Sequence, residues 1–260
     1  MASQQEITKK INDLFTYRRI PYMLKLAGIP KDSPFVKQLM DLQQAIYALD
    51  EYLEANWQVK KSALDKHWKE INRQLRAFGL NRYQVVAFRK DIERYQSYEL
   101  EMRDGRMPTR RPFKTTYGAK TCDVRLIRKL IYHEAPDLSK RIRETDWRPY
   151  DLITEVNDDI NDVYEDLSKY NGNRFLISLL TRGKGRTRSE FSAFLRDTGK
   201  DARLRFKKRS GKENDELAAW TARRLDQTRV LLKKRLGQPK LSTTKTALIK
   251  GVIPKAQLLR

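Results

Sequence analysis

The fold class is decided by residues 33–54, which read SPFVKQLMDLQQAIYALDEYLE. A serine followed by proline is typical of the N-cap and first turn of a helix. Farther along, apolar side chains recur every three or four residues, at Leu42, Ile46, Leu49 and Leu53. This spacing places them on one helical face, because an α-helix turns once in about 3.6 residues. The stretch therefore predicts a long helix with one face in a core.

The same helical spacing continues on both sides of this stretch, and alternating runs that would indicate strands are missing. Residues 104–112, rich in Gly and Pro, predict a loop, and Gly183 with Gly185 predict a flexible turn that ends a helix. The sequence therefore predicts an all-α protein. Its expected parts are an N-terminal helical segment at 1–32, a single large helical bundle at 33–238, and a basic tail at 239–260.

Composition limits the chemistry that the chain can carry. Hydrophobic residues make up 39% of the 260 residues, which suffices for a continuous core. Cys122 is the single cysteine and there are two histidines, so neither an internal disulfide nor a cluster of soft zinc ligands is expected. Any metal would be a hard cation held by oxygen ligands.

Hydropathy predicts no transmembrane segment, since no stretch approaches the roughly 18 uncharged apolar residues that a span needs. The first ten residues, MASQQEITKK, lack the apolar core of a signal peptide. We therefore expect a cytoplasmic location.

The charge is strongly basic and unevenly distributed. The chain has 55 Lys and Arg against 33 Asp and Glu, a net charge of +22, and residues 182–260 hold 23 basic and 7 acidic residues. Such a surplus indicates nucleic acid or an acidic membrane surface as a partner, with a plain solvated surface as the alternative.

One acidic run carries a pattern suited to a metal. Residues 157–166 read NDDINDVYED, in which Asn157, Asn161 and Glu165 are spaced at i, i+4 and i+8. On a continuous helix each step turns by only about 40°, so three oxygen donors would form a row able to bind Mg²⁺. The alternative is an exposed acidic helix face.

A second acidic group borders the apolar stripe of the first helix. Asp50 and Glu54 lie one turn apart there, with Glu51 beside them. Carboxylates next to an apolar surface need a partner, which would be either a metal cation or a Lys or Arg side chain.

The order of these motifs resembles the class I terpene synthase family. It is carried by ALDEYLE at 48–54, YELEMRDGRMPT at 98–109 and NDDINDVYEDLSKYNGNRF at 157–175. In that family two acidic motifs face each other across an all-helical bundle and hold Mg²⁺ ions that bind the diphosphate of a prenyl substrate. The resemblance implies an enzyme that ionises a prenyl diphosphate to a carbocation with loss of diphosphate.

The resemblance also assigns roles to particular residues. Its metal ligands would be Asp50, Glu51, Glu54, Asn157, Asn161 and Glu165. Arg111 would stand for the family's diphosphate-sensing arginine, with Lys114 and Lys120 as substitutes, and Arg235 for the arginine near the C-terminal end.

The competing interpretation is a basic helical protein without catalytic activity that binds nucleic acid or acts as a scaffold. Its evidence is the basic character of residues 182–260, because a small diphosphate needs only a few cations. No helix-turn-helix, zinc-finger or RNA-recognition signature accompanies it.

Overall fold

The computed structural model describes residues 4–238, and every regular element within them is a helix. This confirms the all-α prediction. The basic tail predicted at 239–260 lies outside the described residues. Within residues 4–238, no helix combines the length and the apolar composition needed to cross a bilayer.

The described part of the chain holds eleven α-helices joined by short connections. They are α1 (Gln4–Tyr17), α2 (Ile20–Leu26), α3 (Pro34–Ala55), α4 (Lys61–Ala77), α5 (Arg82–Arg103), α6 (Phe113–Lys120), α7 (Cys122–Glu134), α8 (Leu138–Arg141), α9 (Arg148–Asn161), α10 (Arg174–Lys207) and α11 (Lys212–Gly237). Single turns of 3₁₀-helix lie at Pro108–Arg110, Glu144–Trp147, Asp162–Tyr164 and Asp166–Ser168. The chain divides into two compact units, unit 1 with residues 4–94 and 122–140, and unit 2 with residues 95–121 and 141–238.

Unit 1 is built on the antiparallel pair α3 and α4. The Ser33 hydroxyl accepts a hydrogen bond from the Val36 amide at 3.3 Å, so the predicted N-cap is confirmed. The predicted apolar stripe of α3 is buried, including Leu42, Leu49 and Leu53. Helices α1 and α7 also pack against α3, so this stripe forms the centre of the unit 1 core.

Unit 2 is built around α9, which packs against α6, α10 and α11. Ten residues of α9 are buried, and they lie on all sides of the helix. A helix that is buried all round occupies the centre of its unit. Its neighbours contribute aromatic side chains to the same core, which contains Tyr117, Phe175, Phe191 and Phe194.

Helix α10 is bent at Gly183, where φ is 74° and ψ is 169°. The sequence predicted a longer flexible turn here, and that prediction was wrong in its extent, because helical geometry resumes directly after this residue. The Thr187 hydroxyl donates to the Gly183 carbonyl at 2.8 Å, which satisfies the acceptor that the bend exposes. The eight-residue helix α6 was not predicted at all.

Candidate nucleic-acid interface

The acidic run 157–166 does not form the continuous row of oxygen donors that its spacing predicted. Helix α9 ends at Asn161, and Glu165 lies between two separate turns of 3₁₀-helix. The Asn157 amide donates to the Thr228 hydroxyl at 3.0 Å, and Glu165, an exposed residue, pairs with Lys169 at 2.7 Å. Asn161 donates its side-chain amide to Asp162 at 2.9 Å. Each of the three side chains therefore has a partner within the protein.

The buried carboxylates of the same run hold unit 2 together. Asp159 is 2% exposed and accepts hydrogen bonds from the Tyr117 hydroxyl at 3.0 Å, from Lys120 Nζ at 2.5 Å and from the Arg174 amide at 2.9 Å. We call these four residues the buried network. It joins α6, α9 and the start of α10, so this part of the acidic run acts in the fold.

Charge and burial shift the pKa values of the buried network. Burial by itself would lower the pKa of Lys120, but the carboxylates of Asp159 and Glu155 outweigh it and raise that pKa above its usual range. Burial, together with the charge of Asp159, raises the pKa of the Tyr117 hydroxyl. Lys120 therefore stays protonated and bound to Asp159 at neutral pH.

The other predicted metal ligands lie on α3 in unit 1, where Asp50 and Glu54 are partly buried and Glu51 is exposed. The two predicted metal motifs thus belong to different units. A search of residues 4–238 finds no group of three or more His, Cys, Asp or Glu side chains placed to hold a metal ion.

Of the four cations that the resemblance assigned to the diphosphate, Lys120 belongs to the buried network and the other three differ in their surroundings. Arg111 forms an ion pair with Glu101 at 2.5 Å and stacks on the Tyr98 ring, 4.1 Å from its centroid. Arg235 donates to the Asn161 carbonyl at 2.9 Å. Lys114 projects from α6 into an open groove of about 510 Å³.

This groove, called the basic groove below, lies among α6, the first turn of α9 and the last turns of α10. It is lined by Lys114, Arg148, Pro149, Leu152, Thr198, Asp201, Leu204, Arg205, Lys208 and Arg209. Five of these ten residues are cations and one is acidic. The basic groove therefore suits an anionic ligand.

A buried carboxylate orients two of the groove cations. Asp146 is 1% exposed and lies 3.4 Å from Arg205 and 3.8 Å from Arg209. Asp146 also accepts a hydrogen bond from the Arg143 amide at 3.2 Å, which fixes the carboxylate itself. Arg205 thus donates a long hydrogen bond to Asp146, and Arg209 lies within ion-pair distance of the same carboxylate.

The remaining groove cations differ in whether they form an ion pair within the protein. Lys114 pairs with Asp201 at 2.7 Å, and both residues are exposed. Arg148 and Lys208 are exposed, and within residues 4–238 no ion pair engages either of them. These two cations can meet a ligand without first losing a partner.

A second row of cations runs along the outer side of α10, on a different face from the α10 residues that line the basic groove. Arg196, Lys200, Arg203 and Lys207 follow one another at intervals of four, three and four residues, and all are exposed. This basic stripe lies on one face of the helix. Only Arg196 forms an ion pair among the described residues, with Asp197 at 3.1 Å, and that exposed pair has little energy.

A smaller groove of about 360 Å³ lies between α10 and α11 and is also basic. This second groove is lined by Arg188, Ser192, Arg229, Leu232, Lys233 and Leu236. Basic surface therefore extends along α10 from Arg188 to Arg209.

The sequence predicted that this surface is basic, but it identified only some of the residues that form it. Residues 182–260 include the cations of α10 and α11, whereas Arg148 and Lys114 reach the basic groove from other helices. Arg148 stands directly before Pro149, at the start of α9, and proline in the first turn marks a helix start. That signal locates the start of α9 in the sequence but does not show that α10 lies beside it.

Comparison of the chain with family models, with curated proteins and with solved structures finds no match in any of the three.

Proposed function

We propose that this protein binds nucleic acid through unit 2, with the basic groove and the basic stripe contacting phosphate groups. The observation that supports this most is the convergence of five cations in one groove, two of them oriented by the buried Asp146. Cations gathered beside one carboxylate lose less conformational entropy on binding a phosphate than cations scattered over a surface do.

The chemistry of the groove cations suits phosphate. An arginine presents five N–H donors in a planar fork, and Arg205 and Arg209 each direct one nitrogen toward Asp146. Their other donors can bind phosphate oxygens. Arg148 and Lys208 add charge at the edge of the groove.

Nucleic acid fits this surface better than an acidic membrane does. A helix that lies on a membrane needs a broad apolar face that enters the lipid. The basic stripe consists of four cations. Among the residues that line the basic groove, Leu204 alone is a strongly exposed large hydrophobic residue, so neither feature offers a broad apolar face. A nucleic-acid partner also agrees with the cytoplasmic location expected from the sequence.

The terpene synthase activity stays a prediction that rests on the resemblance. It receives less support from the structure because its candidate residues already have protein partners: Arg111 binds Glu101, and Glu165 binds Lys169. Its test is incubation with Mg²⁺ and prenyl diphosphates, with detection of hydrocarbon products and released diphosphate.

Fluorescence anisotropy with a labelled DNA duplex of about 20 base pairs tests the proposal. Each phosphate contact contributes a slope of about −0.9 in a plot of log affinity against log salt, which is about fivefold in affinity at 0.15 M salt. The Arg148→Ala, Lys208→Ala double variant should therefore bind on the order of 30-fold more weakly than the parent protein.

The matched control is the Lys66→Ala, Lys69→Ala variant, which removes the same charge from exposed positions on α4. Its affinity should stay within about threefold of the parent value, since long-range electrostatics alone is screened beyond roughly 8 Å in 0.15 M salt. Equal losses in both variants, or tighter binding to anionic phospholipid vesicles than to DNA, would refute the proposal.

A further inference from the structure

The geometry points to duplex nucleic acid, held by its phosphates without reading of the base sequence, as the ligand of this surface. This inference rests on the proposed nucleic-acid binding and goes further, because it names the form of the nucleic acid. Three features of unit 2 support it.

The first feature is the regular spacing of the cations. At 1.5 Å per residue, the basic stripe from Arg196 to Lys207 extends over about 17 Å, and the basic surface from Arg188 to Arg209 over about 32 Å. A duplex advances about 3.4 Å per base pair, so the longer distance corresponds to roughly nine base pairs. A rigid row of cations matches a rigid row of phosphates without ordering a flexible strand.

The second feature is the absence of aromatic side chains from the contact surface. Neither the basic stripe nor the residues lining the two grooves include a Phe, Tyr or Trp. Phe191 and Phe194 are buried and pack on Phe113, and Phe206 near the end of α10 is partly buried. Proteins that bind single strands stack the bases on exposed aromatic rings. The stripe and the groove linings can therefore contact phosphates, but they include no exposed ring on which unpaired bases would stack.

The third feature is the position of α10 within unit 2. Helix α10 packs against both α9 and α11, and an added Cβ at Gly199 would come within 2.5 Å of the Leu225 side chain, so α10 and α11 lie very close. A recognition helix has to protrude in order to enter the major groove and reach base edges. Packing against two neighbours leaves α10 one exposed face, and the cations of the basic stripe on that face are placed to meet the phosphate backbone.

The test compares a DNA duplex of about 20 base pairs with one of its own strands, and with a second duplex of unrelated sequence, by fluorescence anisotropy of the full chain. Eight contacts, from the four stripe cations with Arg148, Arg205, Lys208 and Arg209, predict slopes of about −7.2 for the duplex and −5.6 for the single strand. At 0.15 M salt this difference makes duplex binding about 20-fold tighter. The two duplexes should agree within about threefold.

Removal of the stripe charges provides a second measurement. The triple variant Lys200→Ala, Arg203→Ala, Lys207→Ala should reduce the duplex slope by about 2.7 and the affinity at 0.15 M salt on the order of 100-fold. A matched control removes the same charge from exposed lysines of unit 1, at Lys31, Lys66 and Lys69, and should keep the parent slope.

The outcomes separate this inference from the proposed function. If the single strand binds as tightly as the duplex, the duplex inference is overturned while nucleic-acid binding stands. Tyr83 carries the most exposed aromatic ring among the described residues, at 87%. Loss of single-strand binding in Tyr83→Ala would then show that the bases stack on this ring. If neither form binds with a salt-dependent affinity, the proposed function itself fails.

Discussion

Replacement of Asp159 by alanine should strongly destabilise unit 2. The carboxylate accepts hydrogen bonds from Tyr117, Lys120 and the Arg174 amide, and Asp159→Ala leaves the partly buried Lys120 cation without its nearest counter-charge. Loss of one member of a buried ion pair costs about 3–5 kcal/mol. We expect about 3 kcal/mol, at the low end, because Glu155 also stabilises the Lys120 charge. A loss of this size lowers the melting temperature on the order of 10 °C.

Urea denaturation followed by circular dichroism measures this loss. Glu165→Ala is the control from the same acidic run, and its exposed side chain should change the free energy of unfolding by less than about 0.5 kcal/mol. The double variant Asp159→Ala, Lys120→Met should recover part of the loss, because no buried charge is left unpaired. A loss below about 1 kcal/mol in Asp159→Ala, or an equal loss in Glu165→Ala, would refute a structural role for Asp159.

Three further predictions concern pH, packing and binding. Burial raises the pKa of Asp162 to about 6, above its value in the unfolded chain. The folded state therefore binds a proton more tightly, and its stability falls as pH rises from about 4 to 6. Asp162→Asn should raise the melting temperature at pH 7.5 and leave it unchanged at pH 4. Gly199→Ala should lower the free energy of unfolding by about 1 kcal/mol, because the new methyl group meets Leu225 of α11. Gly185→Ala, on the same helix but with open space around it, should raise that free energy by about 0.5–1 kcal/mol. The same urea titration measures both. Asp201→Asn removes the carboxylate that pairs with Lys114 and should tighten duplex binding about fivefold, measured by anisotropy; an unchanged affinity would exclude Lys114 from the interface.

Most helices could be predicted from the sequence because each carries a periodic apolar face and a recognisable end. The serine and proline that begin α3 are such a local signal, and the structure confirms this helix. Helix α6 escaped prediction because its eight residues include Thr115, Thr116 and Gly118, which have low helix propensity. Its helical form depends on tertiary packing of Phe113 and Tyr117 in the unit 2 core.

The candidate site was harder to predict because spacing along the chain does not show where a helix ends or what a side chain meets. The run at 157–166 looked like one helical face, yet α9 ends at Asn161 and Asp159 turns inward. The basic groove joins residues from three helices, and only packing brings Lys114 and Arg148 beside the cations of α10. Charge composition identified a basic region, while the groove required the fold.

Asp146 contributes both to the turn before α9 and to the basic groove. The same carboxylate fixes the turn before α9 through the Arg143 amide and orients Arg205 and Arg209 in the basic groove. Under the proposed function, a change at Asp146 should therefore alter both the stability of unit 2 and the affinity for nucleic acid. Arg148 and Lys208 form no ion pair within residues 4–238, so changes at these two positions should alter affinity and leave the fold intact.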